Sequence, residues 1–196
     1  MIPPRLVLAS RNPGKIAELA PLVAEWGPVE VLALDAFPEV RLPEEGDVSY
    51  EANAVEKARA VAAATGLPAL GDDSGLEVEA LGGGPGIRSA RYAATDAERV
   101  ARLLDALRDV TGAGRRARFR CAAALVWPDG RALTAAGECA GRIALAPSGA
   151  RGFGYDPVFV ADELGYTFAA ASPVEKRRVS HRARTVDALG LRVARS

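Results

Sequence analysis

Several short segments of this chain carry residue types that chemistry needs, at spacings that chemistry can use. Ser10-Arg11-Asn12-Pro13-Gly14-Lys15 follows the apolar run Leu6-Val7-Leu8. A strand-to-helix turn of this kind presents backbone N–H groups at a helix N-terminus, where they cradle a phosphate, and Lys15 adds a point charge. The G-x-x-x-x-G-K-[ST] pattern is absent, so this is not a Walker A loop. The plainer reading is an ordinary βα turn with an exposed lysine. Asn53 and Lys57 stand four residues apart and share a helix face. Beside Glu56 and Arg59 they also suit a solvated helix surface.

Asp72-Asp73-Ser74-Gly75 ends an apolar strand. The C-terminal edge of a sheet is where α/β proteins place metal and catalytic groups. Adjacent acids on a strand point to opposite faces, so one of the two enters a site. Magnesium takes one or two carboxylates plus substrate phosphates, and Glu44-Glu45 upstream can supply another ligand or simply solvate its loop. A capped turn fits the same four letters. In Gly152-Phe153-Gly154-Tyr155-Asp156-Pro157 the glycines let backbone approach a ligand, and an aromatic face can stack on a nucleobase. A glycine-rich corner with core aromatics is the competing reading. Lys176 with Ser180-His181-Arg182 is rich in donors, suited to an anion, a carbonyl oxygen or a surface cap.

Composition strengthens these choices. Of 25 basic residues only Lys15, Lys57 and Lys176 are lysines; Asn12 and Asn53 are the only asparagines, His181 is the only histidine, and there is no Gln. A chain that uses Arg wherever a surface charge is enough keeps Lys where an ammonium has no substitute, as at a phosphate oxygen. The 196 residues, 49% hydrophobic, suit one domain of ordinary size or two small lobes. Balanced charge, 25 basic against 25 acidic, argues against a nucleic-acid polymer or membrane surface as partner. No apolar stretch approaches the ~20 residues of a membrane span. Two cysteines, Cys121 and Cys139, make neither a disulfide framework nor a zinc site, and no signal peptide is recognisable. A soluble, cytoplasmic protein is expected.

The elements that must position these residues follow from pattern. Strands are expected at Arg5–Ala9, Val29–Leu34, Pro68–Gly71 and Pro157–Val160, and Glu77–Leu81 continues into an irregular glycine run. A helix is predicted from Lys15 to Trp26, with Pro21 inside it and Gly27 as its stop. A polar loop, Pro38–Asp47, leads to a helix capped by Ser49 and closed by Gly66. Asp96–Val110 is amphipathic, with Val100, Leu103, Leu104 and Leu107 on one face, as core or as interface. Arg118–Trp127 and Arg131–Gly137 flank Pro128-Asp129-Gly130 as a β-hairpin. Ser172-Pro-Val-Glu175 is a capping box, and Gly190 is expected to end the last helix. Alternating helices and strands with one late antiparallel pair predict an α/β fold with a mixed sheet flanked by helices.

Taken in order, the segments resemble the inosine triphosphate pyrophosphatase family, the non-canonical purine nucleoside triphosphate pyrophosphatases. The match rests on Ser10-x-Asn12-x-x-Lys15, Ser49-Tyr50-x-x-Asn53-Ala54-x-x-Lys57-Ala58, Asp72-Asp73-Ser74-Gly75-Leu76, Leu-Gly-Gly-x-Pro-Gly-x-x-Ser-Ala-Arg-Tyr from Leu81 to Tyr92, Gly152 to Pro157, and Lys176 with Ser180-His181-Arg182. It runs from residue 5 to about 190. The resemblance implies one two-lobed α/β domain over residues 1–196, with a long central mixed sheet, a site in the cleft between the lobes, a homodimer, and a magnesium (Mg2+)-dependent reaction. Purine nucleoside triphosphates such as ITP, dITP and XTP would be cut between the α and β phosphates, cleaning the nucleotide pool. By position, Ser10, Arg11, Asn12, Pro13, Gly14 and Lys15 would hold the triphosphate, with Lys57 contributing. Asp73 would bind metal and act as general base, Glu45 would be a second metal ligand, and Ser74 would touch substrate. Phe153, Gly154, Tyr155, Asp156, Lys176, His181 and Arg182 would surround base, sugar or phosphates.

Two departures stand out. Arg11 occupies a place where members often have Gly, adding charge beside the phosphates. Ala52 stands where many have Glu, and Glu51 one step earlier would point roughly 100° away on the helix. Two alternatives compete: a Maf-like pyrophosphatase for modified pyrimidine nucleotides, whose first loop carries paired Arg after Ser-Pro, and a non-catalytic nucleotide-binding protein, which would lack the acids found here.

Overall fold

The structure, a computed structural model, describes residues 2–196. Its strands are β1 (Arg5–Leu8), β2 (Glu30–Ala33), β3 (Ala69–Val78), β4 (Arg116–Val126), β5 (Ala132–Ile143) and β6 (Phe159–Ala161). Its helices are α1 (Pro13–Ala24), α2 (Tyr50–Thr65), α3 (Asp96–Ala106), α4 (Pro173–Val179) and α5 (His181–Arg195). The sheet order is β2-β1-β3-β4-β5-β6; β1 runs parallel to β2 and β3, and β5 runs antiparallel to β6. The expected mixed α/β sheet is therefore present. Among the described residues no helix is long and apolar enough to cross a membrane.

Residues fall into two compact units. The first holds the chain up to Asp73 with Cys121–Gly137 and Arg182–Ser196; the second holds Ser74–Arg120 and Glu138–His181.

In the first unit, strand alternation sorts apolar side chains onto two faces. Leu6, Leu8, Leu70, Ala123 and Leu125 pack with Leu19 and Leu22 of α1 and Val186, Leu189 and Val193 of α5. Val7, Ala69, Ala124 and Val126 face the other way, against Ala54, Ala58 and Val61 of α2. Small residues let α2 sit close. A Cβ on Gly71 would lie 2.3 Å from the Ala54 carbonyl oxygen, so only glycine lets the helix and β3 approach this far. Ser49 caps α2 by accepting from the Ala52 N–H, and Gly66 ends it in a left-handed conformation (φ 68°), as expected.

In the second unit, Leu76, Val78, Val100, Leu103, Leu107 and Phe119 build one core with Phe159 and Phe168. Leu103 and Leu107 are fully buried, so the leucine face of α3 is core. Arg115 is buried too, and its guanidinium donates to four carbonyls, those of Leu107, Val110, Ile143 and Ala144. Thr95 and Glu98 cap α3 reciprocally, and Ser172 with Glu175 caps α4 as the sequence predicts.

Several expected boundaries are corrected. Asp72 and Asp73 do not end a strand: β3 continues to Val78, because Leu76 and Val78 keep the alternation and bury in the second core. The Glu77–Leu81 segment splits, its last part coiling as a 3-10 turn, Glu79–Leu81. The first helix begins at Pro13, because Asn12 caps it, and ends at Ala24, so Gly27 lies beyond its cap. The second strand ends at Ala33 in a 3-10 turn, α3 stops at Ala106, the hairpin strands run longer, and the last strand starts at Phe159.

Gly190 does not end the last helix, which passes through it to Arg195. Its role is packing: a Cβ there would sit 2.5 Å from Trp26 Nε1. Gly190→Ala would gain about 1 kcal/mol of helix propensity. Overpacking costs about 1–3 kcal/mol and decides the sign. The variant is expected to unfold at lower urea concentration than wild type.

Candidate active site

In the first unit, Ser10 to Lys15 forms the turn between β1 and α1. The Ser10 hydroxyl accepts from the Asn12 N–H (3.2 Å), and the Asn12 side chain accepts from the Lys15 N–H (3.1 Å). Pro13 supplies the first helical residue, where its missing N–H costs nothing. The Arg11 guanidinium donates to Asp35 (3.2 Å) and to the Val40 carbonyl (3.0 Å). Lys15 reaches β3: its Nζ lies 3.2 Å from Asp72 Oδ2.

That oxygen is shared. Arg182 Nε lies 3.2 Å from it, and the other end of the guanidinium pairs with Glu18. Asp72 and Arg182 are 1% and 2% exposed. Burial alone would push Asp72 up, but Lys15, Arg182 and Lys57 outweigh it and hold its carboxyl well below the usual range. Burial would weaken the Arg182 charge, yet Asp72 and Glu18 raise its proton affinity further. The second Asp72 oxygen, Oδ1, is buried without a hydrogen-bond partner among the described residues.

Asp73 points to the opposite face of β3, toward α2. Its Oδ2 accepts from Asn53 Nδ2 (2.8 Å), and Lys57 Nζ stands 3.7 Å from Oδ1. The same ammonium donates to Glu45 Oε1 at 2.6 Å. Asn53 does a second job, since its side-chain amide grips Gly46 N–H and C=O (2.9 and 3.1 Å) and pins the acidic loop beside Glu45. Both need the helix close to the strand, which Gly71 allows. Burial pushes the Asp73 carboxyl up; Lys57, Lys15 and the Asn53 amide offset this only in part. Burial would also raise Glu45, but Lys57 draws it down. Desolvation opposes the Lys57 charge, and Asp72, Asp73 and Glu45 together raise its pKa. Glu51 stays apart, its carboxylate accepting from Thr134 instead.

The second unit begins at Ser74, half-buried. Its glycine-aromatic loop is tightly drawn. Asp156 Oδ2 accepts from the Phe153 N–H (2.9 Å) and also pairs with Lys176. Gly152 has φ 75°, and a Cβ there would lie 1.9 Å from Asp156 Oδ2, so no other residue fits. Lys176 Nζ sits 5.3 Å from the Phe153 ring centre and 5.2 Å from that of Phe168. Tyr155 lies in the core: it is 4% exposed and its hydroxyl donates to the Ser89 carbonyl. His181, 4% exposed, stacks on Phe119 with ring centres 4.6 Å apart.

The structure thus gathers Lys15, Asp72 and Arg182 on one side of β3 in the first unit, and Glu45, Asn53, Lys57 and Asp73 on the other. Phe153, Asp156 and Lys176 meet in the second unit. Two carboxylates escaped the sequence reading, Glu18 on α1 and Asp96 on α3. Their letters look like surface acids; only the fold supplies Arg182 to the first and the Gly154 N–H to the second.

A helix N-terminus with a lysine, and a buried and a half-buried carboxylate bridged by a second lysine, are equipment that suits a phosphate-handling α/β enzyme. The chain belongs to the Ham1 family, whose model matches residues 6–190. It is 49% identical over 187 residues to a protein of Thermus thermophilus named dITP/XTP pyrophosphatase, covering 94% of this chain and 89% of that one. A protein of the same name from Nitratidesulfovibrio vulgaris is 48% identical, covering 92% and 91%. Among solved structures, a HAM1 protein from Coxiella burnetii matches with TM-score 0.86 and 38% identity over 98% of this chain and 99% of that one. A nucleoside-triphosphatase, dITP/XTP pyrophosphatase, from Mycobacterium abscessus matches with TM-score 0.75 and 42% identity, over 94% and 98%.

Proposed function

We propose that this chain hydrolyses non-canonical purine nucleoside triphosphates, ITP, dITP and XTP, to the monophosphate and pyrophosphate, clearing them from the nucleotide pool. The observation that carries the reading is the Lys57 ammonium shared by Glu45 and Asp73, in a chain nearly half identical to enzymes named for that activity. The family match displaces the pyrimidine-directed alternative.

In this reading the Ser10–Lys15 turn holds the triphosphate, with backbone N–H groups of Pro13's successors and the Lys15 ammonium meeting phosphate oxygens. Asp73 is the general base that takes a proton from the attacking water, and a cation bound beside it would keep its carboxyl ionised for that task. Asn53 fixes which way the Asp73 carboxylate faces. Ser74 contacts substrate. Phe153 offers its ring to the purine, while Lys176, Asp156, His181 and Arg182 belong to the base-and-sugar end, Arg182 from a buried place. Donors aimed at a 6-oxo group accept inosine and xanthine, whereas an adenine amine leaves them unpaired, worth about 10²-fold or more.

Magnesium belongs to the same proposal. Among the described residues no three His, Cys, Asp or Glu side chains form a ready-made metal cage. Glu45 and Asp73 nevertheless reach one cationic point, now the Lys57 ammonium, and two carboxylates completed by substrate oxygens suit this ion. Those two residues would hold it, and the ion would supply neutralising charge for the phosphates there. Cytoplasmic location and a homodimer, the latter measurable by light scattering, are part of the reading as well.

Chromatography of the products from ITP, XTP, dATP and GTP, with and without Mg2+, tests it. IMP with pyrophosphate, lost on chelation and largely missing with dATP, is the expected result. IDP with phosphate would move the scissile bond, and no turnover of any purine would overturn the proposal.

A further inference from the structure

The loop at 152–157 is held from within by Asp156, but its tip is held from outside. Asp96, the first residue of α3, points its Oδ2 at the Gly154 N–H, 2.7 Å away. A carboxylate accepting from a backbone N–H is a charge-assisted bond, shorter and stronger than a neutral one. Its other oxygen, Oδ1, accepts from Arg99 at 2.5 Å, and Arg99 is itself fastened to the carbonyls of Ala93 and Ala94. The Asp96 carboxylate is therefore oriented from two sides. The capping box of Thr95 and Glu98 fixes the backbone that carries it.

Gly154 needs such a hold. It has no side chain to anchor, its φ is +60°, and a Cβ there would meet nothing within 4 Å. The carbonyl of the Phe153–Gly154 peptide accepts from the Asp156 N–H (3.2 Å), and Asp96 holds the other end of that plane through the Gly154 N–H. That plane and the Phe153 N–H, gripped by Asp156, together aim the Phe153 ring.

We propose that Asp96 is a positioning residue: by holding the Gly154 N–H it sets the pose of Phe153, and so the affinity for the purine end of the substrate. This rests on the proposed function, in which Phe153 receives the base. Asp96 touches neither phosphate nor reacting atoms in this scheme. Its loss should weaken substrate binding and spare both the chemical step and the grip on pyrophosphate.

Two variants separate position from charge. Asp96→Glu keeps the negative charge in the first turn of α3 but moves the acceptor by a methylene. Asp96→Asn loses the charge and keeps an oxygen in place. Asp96→Glu is expected to melt with wild type and to raise KM for ITP about tenfold, with kcat within about twofold. Asp96→Asn is expected to stay within about threefold of the wild-type KM, since a neutral acceptor still holds the N–H. Inhibition by added pyrophosphate, which engages only the phosphate end, should be unchanged in both. A wild-type KM in folded Asp96→Glu would overturn the proposal. So would a KM that rises together with weaker pyrophosphate inhibition and a lower Tm, which marks a merely structural role. Absence of ITP turnover in the wild-type protein would strike the proposed function instead, so the two failures are distinguishable.

Discussion

Asp73→Asn is expected to fold like the wild type and to hydrolyse ITP at least ~10²-fold more slowly, the usual contribution of a positioned general base. The substitution removes the group that accepts the water proton while leaving its neighbours nearly undisturbed. An amide oxygen still accepts from Asn53 Nδ2, so the tie from α2 to β3 survives. Lys57 keeps Glu45 at 2.6 Å, so its ammonium is not stranded when one of two carboxylates loses its charge. Pyrophosphate release at saturating ITP measures the loss, and a thermal melt compares the folds. The loss should fall on kcat more than on KM, because Lys15 and the turn at Ser10 stay in place. A folded variant with turnover close to wild type would remove Asp73 as the base.

What the letters make legible is what neighbours decide. Turn chemistry is local: Ser49 capping a helix, and Gly66 closing it, follow from neighbours a few residues away. The opposite-facing acids at Asp72 and Asp73 are equally local, since a strand alternates. What failed were judgements that only distant residues decide. Gly190 has the look of a helix terminator, but Trp26, far away in sequence, is what requires it. Asp72-Asp73-Ser74-Gly75 has the composition of a turn, but a second core waiting for Leu76 and Val78 draws the strand onward. The burial of Tyr155 also rests on distant residues, its hydroxyl donating to the Ser89 carbonyl. The surroundings of Arg182 are likewise decided at a distance. Its setting in Ser-His-Arg suggests a ligand contact, and its burial depends on Glu18 and Asp72 arriving from two other elements.

Arg182→Met should therefore act first on stability, lowering it by about 3–5 kcal/mol in urea unfolding, the range for breaking a buried ion pair from one side. Asp72 is 1% exposed and would keep only the Lys15 ion pair, 3.2 Å away on the same oxygen, among the described residues, with Lys57 acting from farther off, while Oδ1 already lacks a hydrogen bond there. Water cannot compensate at that depth. Arg182→Lys should be milder, yet well short of wild type. An ammonium carries the charge but not the fork that meets Asp72 through Nε and Glu18 through the far nitrogen. Adding Glu18→Met to Arg182→Met should change stability little further, because Glu18 keeps partial access to solvent and can rehydrate once its partner is gone. A loss below about 1 kcal/mol in Arg182→Met would mean that Lys15 alone neutralises Asp72. With whole-domain stabilities of about 5–15 kcal/mol, the expected loss is a large fraction of what holds the chain folded. Weak activity in an Arg182 variant consequently says nothing about base recognition until it is measured per folded molecule. If the ITP-to-dATP preference persists in the folded fraction, Arg182 acts on this site through Asp72 and Lys15, from inside the protein.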